Sequence, residues 1–278
     1  MLFVIDKCLR YCIKHERLLI IDTRRSFWFL RDIHEYIEFD HPNIYRGDLD
    51  TIFATLNALE SYPPGTQGKH PITDVFNDKN ICFRSTVDKI DISPNLGISY
   101  EEDVVVYSHC GGGIPATLLP TMRFKPIVVA NFLEKFQRLP SGYTSVHIRN
   151  TDYVSDLDTF LEENHRLLTE APFFLASDNA NTIEAIRDTY PHMLTCSTVP
   201  ATIDRRNIHE RRHDNQGAFI LDCITDILLL ASAKTYIYSC KRSGYSKLAG
   251  YLHADKTLLE NLLGTKLDTD TTVEGKQQ

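Results

Sequence analysis

The sequence predicts an α/β protein made of two Rossmann-like domains with parallel sheets. Three observations predict it. Short runs that read as strands recur at 18–21, 104–107, 143–149, 173–176 and 235–239, those at 18–21 and 173–176 apolar throughout as in strands buried on both faces and that at 143–149 rich in β-formers. Segments between several of them carry apolar residues at helical spacing. In the second half the two kinds of segment alternate as β-α-β-α-β-α, the rhythm of a parallel sheet covered by helices. A chain of 278 residues is long enough for two small α/β domains or one large one.

Taken in order, Phe3, Val4, Cys8, Tyr11 and Cys12 fall at helical spacing over 3–16. The run 18–21 follows as a buried strand, closed by Asp22. Residues 60–80 hold the Pro/Gly stretch SYPPGTQGKHP and read as a loop. A strand over 104–107 runs toward Gly111, Gly112 and Gly113, and a helix is expected to start at Pro115 and Ala116, where proline suits a first turn. Pro126 interrupts the next apolar run, so a helix is placed over 127–139. After it come strand 143–149, a long helical segment through Leu161 and Leu168, strand 173–176, and helix 182–190 stopped by Pro191. A polar, basic connection over 204–214 leads to an apolar helix over 219–233, strand 235–239 and helix 244–253. The domains are therefore drawn as 1–140, smaller and less regular, and 141–267, with 268–278 as a disordered tail.

Charge and composition exclude several classes. A net charge of -7 lacks the basic footprint that a nucleic-acid partner requires. No apolar run approaches the roughly 20 residues that span a bilayer, and the first 22 residues are too charged for a signal peptide. The seven cysteines are odd in number, scattered and without a CxxC, which argues against both a thiolate metal site and a disulfide framework. A cytoplasmic enzyme is expected, one whose acceptor can still sit at a membrane surface. The chain has no GxGxxG after its first strand and no G-x-S-x-G, so dinucleotide-dependent and serine-hydrolase readings are set aside.

Ligands of such sheets bind at the carboxyl ends of strands, and three polar clusters fall there. In the first, His147 and Arg149 alternate with Val146 and Ile148 and so share one face of a strand. Arg149 offers a planar fork of donors suited to phosphate oxygens, or else a structural ion pair with Asp152. Asn150 and Thr151 complete this cluster. The second is Ser177 and Asp178. The third runs from Ser239 through Ser243, Gly244 and Ser246, where a helix start presents backbone N–H groups to an anion; for Ser243 and Ser246, helix capping is the simpler reading. Asp226 lies in an apolar helix with Asp222 one turn earlier on the same face. A buried aspartate needs a partner, either a ligand group or Arg211 or Arg212. The three glycines at 111–113 read as a turn.

Three stretches, in this order, resemble those of the α-1,6- and protein O-fucosyltransferase group, to which the rhizobial nodulation fucosyltransferases are related. YTSVHIRNTDY at 143–153 is similar to a strand ending in His-x-Arg-Arg-Thr-Asp. FLASDNANTIEAIRDTYP at 174–191 resembles a Leu-Ala-Thr-Asp-Asp stretch and its helix. DILLLASAKTYIYSCKRSGYSKLA at 226–249 resembles an Asp-bearing helix, a strand and a Ser-rich turn. The resemblance implies a GT-B-like fold and transfer of fucose from GDP-fucose to a glycan or glycoconjugate acceptor, inverting and independent of metal, with no cofactor beyond the donor. By position it implies Arg149 on the β-phosphate, stabilising the departing GDP, His147 and Asp226 on the guanine, Ser243 on the diphosphate, and Asp152 and Asp178 in support. The N-terminal domain would take the acceptor side. Two features depart from the pattern at the site: Asn150 stands where the family has a second arginine, and Tyr153 where the α-1,6 enzymes have lysine, with Lys241 and Arg242 supplying basic charge nearby. The strand and glycine loop that open the family pattern have no counterpart before the first helix, so the N-terminal domain is expected to be truncated. The general base stays open, with Asp156 and Asp158 nearby. Two alternatives remain: a GT-B transferase using another nucleotide sugar, and a catalytically weak nucleotide-sugar- or glycan-binding protein.

Overall fold

The computed structural model describes residues 1–24, 26, 29–72, 75–78, 82–85, 90–109, 111–151, 156–199 and 215–267. Asp152, the basic connection with Arg211 and Arg212, and the tail after 267 lie outside them. The chain divides into two compact units, Met1–Arg123 and Phe124–Gln278.

The first unit opens with α1 (Leu2–Lys14), whose Ile5, Leu9, Tyr11 and Cys12 are buried. Asp6, on the same helix, is buried too and accepts the backbone N–H groups of Thr117 and Leu118. Then come β1 (Ile37–Phe39), α2 (Leu49–Leu56), β2 (Ser61–Tyr62), β3 (Val75–Asp78), β4 (Cys82–Ser85), β5 (Val104–Val105) and β6 (Met122–Phe124). They make three two-stranded sheets, β1-β6, β2-β5 and β3-β4. Asp48 caps α2 by accepting from the N–H of Thr51.

Three expectations are corrected in this unit. The run 18–21 makes no strand but a single parallel bridge, Leu19 to Ile44, with Leu18 left 51% exposed. The stretch 60–80 is not all loop, since Ser61 and Tyr62 pair in parallel with Val104 and Val105, and β3 begins at Val75. The segment from Pro115 makes turns and a short 3-10 helix, Leu119–Thr121, instead of an α-helix. Pro120 has no N–H to continue an i to i−4 ladder, and the chain passes into β6 at Met122.

The second unit holds α3 (Pro126–Phe136), β7 (Thr144–Ile148), α4 (Leu157–Glu170), β8 (Phe173–Ser177), α5 (Ala180–Thr189), β9 (Met193–Leu194), α6 (Gln216–Ser232), β10 (Thr235–Tyr238), α7 (Gly244–Ala254) and α8 (Lys256–Leu263). Helix α3 was drawn with the first domain; it falls in this unit because it packs on α6. The sheet has the order β10-β7-β8-β9 with every pairing parallel. Strand alternation explains its two faces. Val146, Ile148, Phe173 and Leu175 enter a core with Leu168, Ile183 and Ile186 of α4 and α5. The opposite face meets the other helices: the Tyr143 and Ser145 hydroxyls donate to the carbonyls of Leu229 and Leu230 on α6, and His147 meets α7.

Candidate functional site

The topology locates the site before any side chain is considered. From β7 the chain steps outward to β8 and then β9, and returns through α6 to place β10 on the other side of β7. The loops that leave β7 and β10 therefore lead to opposite faces of the sheet, and such a switch point is where ligands of open α/β sheets bind. The residues there are 149–151 and 239–243.

On the β7 side, Asp178, just past the end of β8, organises the loop. Its Oδ1 accepts the backbone N–H of Asn150 at 2.8 Å, and its Oδ2 accepts the Thr151 hydroxyl at 2.6 Å. Arg149 Nε stands 4.0 Å from the same Oδ2, with the guanidinium side chain 18% exposed. Asn150 is committed elsewhere. Its side-chain amide donates to the Thr182 hydroxyl on α5 at 3.0 Å, and its carbonyl accepts from Asn179 at 2.7 Å. Asn179 also caps α5. The position that departs from the family pattern is thus a clip between β7 and α5.

On the β10 side, the Ser239 hydroxyl accepts the N–H of Arg149 at 3.3 Å, and the Ser239 N–H donates to the His147 carbonyl at 3.0 Å. Ser243 is buried and caps α7, accepting the N–H of Ser246 at 3.2 Å; Gly244 is the first helical residue. His147 Nδ1 lies 2.6 Å from the Ser246 hydroxyl, and its ring stacks on Tyr245 with centroids 4.9 Å apart. Burial, and then the Arg149 charge, pull the imidazole down to about 3, so His147 is neutral at any working pH. With the ring neutral, Arg149 is the charged member of this pair of residues.

A second cluster lies on α6 and what covers it. Asp222 and Asp226 are one turn apart, and both find partners from other elements. Lys135 of α3, almost wholly buried, donates to Asp222 Oδ1 at 2.6 Å and to the Ser197 hydroxyl at 3.3 Å. Ser197 in turn donates to Asp226 Oδ1 at 2.7 Å. Burial pushes the Asp226 carboxyl up to about 7, against the Ser197 hydrogen bond and the Lys135 charge, while Asp222 pushes in the same direction as burial.

Of the residues nominated from the sequence, Arg149, Asn150 and Asp178 come together at the end of β7, and His147, Ser243, Gly244 and Ser246 at the start of α7. Asp222 and Asp226 form the cluster on α6. Asp152 lies outside the described residues. Asp156 caps α4 through the N–H of Thr159, and Asp158 is a helical surface residue. Lys135 and Ser197 were missed. Lys135 had a readable signal, because it follows Val128 and Phe132 on one stripe of the helix, and both are fully buried. Ser197 had none. Among the described residues no group of three or more His, Cys, Asp or Glu side chains is placed to hold a metal ion, and no helix is long and apolar enough to cross a membrane.

The mixed α/β architecture and the parallel sheet with its switch point are those of a GT-B-like fold. Neither a protein-family profile nor a curated protein sequence matches the chain, but solved structures do. The fucosyltransferase NodZ from Bradyrhizobium is similar with a TM-score of 0.60 and 15% identity, over 90% of this chain and 88% of that one. NodZ alpha-1,6-fucosyltransferase soaked with GDP-fucose is similar with a TM-score of 0.56 and 15% identity, over 90% and 87%. The same enzyme co-crystallised with GDP gives 0.56 and 13% over the same shares.

Proposed function

We propose that this protein is a glycosyltransferase that takes a nucleotide-sugar donor, GDP-fucose, and transfers the sugar to a glycan or glycoconjugate acceptor with inversion and without a metal. The observation that carries the reading is the placement of Arg149 and the start of α7 on opposite sides of one switch point, in a fold similar to fucosyltransferase structures that include a GDP-fucose soak. The setting is cytoplasmic, and an acceptor at a membrane surface suits it.

The chemistry follows from charge. Cleaving the sugar–phosphate bond develops negative charge on the departing GDP. Where no metal takes part, cationic and N–H donors already in position must stabilise it, each worth roughly 10²–10³ in rate. Arg149 supplies the cation, and Asp178 and Ser239 fix its strand end. The first N–H groups of α7 supply dipoles at the other side. His147 and Asp226 serve the base, the first as a neutral ring, the second as an acceptor. Asp152 is proposed to support the site beside Arg149.

Calorimetric titration with GDP-fucose, GDP, GDP-mannose and UDP-glucose tests the donor. GDP and GDP-fucose bind; Arg149→Ala weakens both by about 1.5–3 kcal/mol, tenfold or more, with the far-ultraviolet dichroism unchanged. Tight UDP-glucose binding without GDP binding would replace the donor by another nucleotide sugar. A second reading, a nucleotide-sugar-binding protein with little or no transfer, is favoured by one observation: where the family pattern has a second arginine, Asn150 is held by Thr182. Donor hydrolysis or fucose transfer above the buffer rate excludes it.

A further inference from the structure

The α6 cluster reaches beyond what was read from the resemblance. Asp226 spends one oxygen on Ser197, and among the described residues its Oδ2 has no hydrogen-bond partner. The groups that face this carboxyl come from every element around it: Lys135 from α3, Asp222 and Cys223 from α6, Cys196 from the segment after β9, and Tyr245 from α7. Burial pushes Cys196 up to about 11 and also raises Cys223 and Tyr245, so all three are uncharged at neutral pH. Lys135 and Asp222 are then the charged neighbours, and they act in opposite directions.

We propose that Lys135 and Ser197 are positioning residues for base recognition: they favour the ionised form of the Asp226 carboxyl and aim it, so that its open oxygen accepts from a base edge rich in N–H donors. This rests on the guanine-nucleotide reading above. The geometry for it is a relay, ammonium to hydroxyl to carboxylate, with Asp222 anchoring the ammonium. A carboxylate is acceptor-only when ionised and has room for several donors on its two oxygens. Guanine presents N1–H and N2–H₂ side by side. Hypoxanthine keeps only N1–H, and adenine turns a lone pair toward the carboxylate, which a site built on an acceptor rejects. A protonated Asp226 loses this discrimination, because its oxygen then carries a hydrogen toward another hydrogen.

Selection should therefore depend on pH through Asp226, and the relay sets where. The test is GDP affinity from pH 5.5 to 8.5 for the whole chain, with IDP and ADP beside it. For the wild type, affinity for GDP falls about tenfold per pH unit below a midpoint near neutrality, and the preference over IDP shrinks with it. Lys135→Met removes the cation and moves the midpoint up by about one unit. Asp222→Asn removes the anion while its amide oxygen can still accept from Lys135, and it moves the midpoint down. Opposite shifts are not produced by a merely structural role, and Lys135→Arg restores the wild-type profile. If Lys135→Met is unfolded by circular dichroism, the sign of the Asp222→Asn shift decides alone. GDP binding with a midpoint that neither variant moves overturns the inference and leaves the donor reading intact. A wild type that binds no GDP at any pH overturns both.

Discussion

Arg149 and Asp226 are two ionisable residues with opposite needs. The guanidinium keeps its charge in any setting, so its use depends only on where the strand end puts it. The carboxyl does not, because burial works against its ionised form. The sign for stability follows. Asp226 has a folded value near 7, above that of an unfolded aspartate, so the folded state binds more protons between about 4 and 7. Stability from this group is full below that window and is lost as pH rises through it. His147 does the reverse: its folded value of about 3 lies below the unfolded one, so its contribution is present above about 6.5 and is lost as pH falls. The two slopes oppose each other in the wild type. Asp226→Asn, which mimics the protonated acid, is expected to match the wild type near pH 4 and to exceed it at pH 8 by about 1–3 kcal/mol. Urea unfolding at the two pH values checks this, and equal stability at pH 8 would mean that the carboxyl is not strained by burial.

At the scale of elements, β7 and α7 divide the work. Alternation along β7 sends Val146 and Ile148 into the core and leaves Ser145 and His147 on the helix-covered face. One strand thereby anchors itself in the core on one side and hydrogen-bonds to α6 and α7 on the other. Helix α7 begins immediately after the β10 loop, with Ser243 buried and bonded to its first turn. Removing that cap leaves a helix N–H without a partner. Ser243→Ala is expected to cost about 1 kcal/mol of stability, measured by denaturant midpoint, and to weaken GDP binding as the first turn frays. A variant that loses affinity with no loss of stability would give Ser243 a direct contact with the diphosphate instead. The Tyr245–His147 stack and the Tyr236 hydroxyl on the Ser246 carbonyl hold the same turn from two sides.

At the scale of the molecule, the nominated residues within the described set all belong to the unit from Phe124 onward. A nucleotide diphosphate bound there, as proposed, would be linked to the folding of that unit. At 100 times its Kd, GDP should add about 2.7 kcal/mol to the unit's stability. Hydrogen exchange followed by mass spectrometry should show slower exchange at 144–151 and 235–246, with the peptides of 1–123 unchanged. Protection spread evenly over both units would contradict a donor site housed in the second.

How much of this was legible differs along the chain. In the second unit, buried runs and 3.6-residue periodicity are local properties, so the strands expected at 143–149, 173–176 and 235–239 and their helices were readable from the residues, while β9, two residues long, was not. The first unit was read poorly, because its strands are two to four residues long and carry too little pattern. The run 18–21 is apolar enough for a strand, yet only Leu19 finds a partner. A resemblance in three short stretches pointed to Arg149, His147 and Asp226, since those residues sit within sequence-local motifs. What the sequence determined by itself was thus the α/β class, the polar clusters at strand ends and the cation at the end of one strand. What only the tertiary structure decided was partnership. Lys135 reaches Asp222 across 87 positions, and Ser197 reaches Asp226 across 29. Asn150 closes onto Thr182, and β10 returns to the far side of β7. Pairings across such separations depend on how helices pack on the sheet, and no local period in the sequence encodes that.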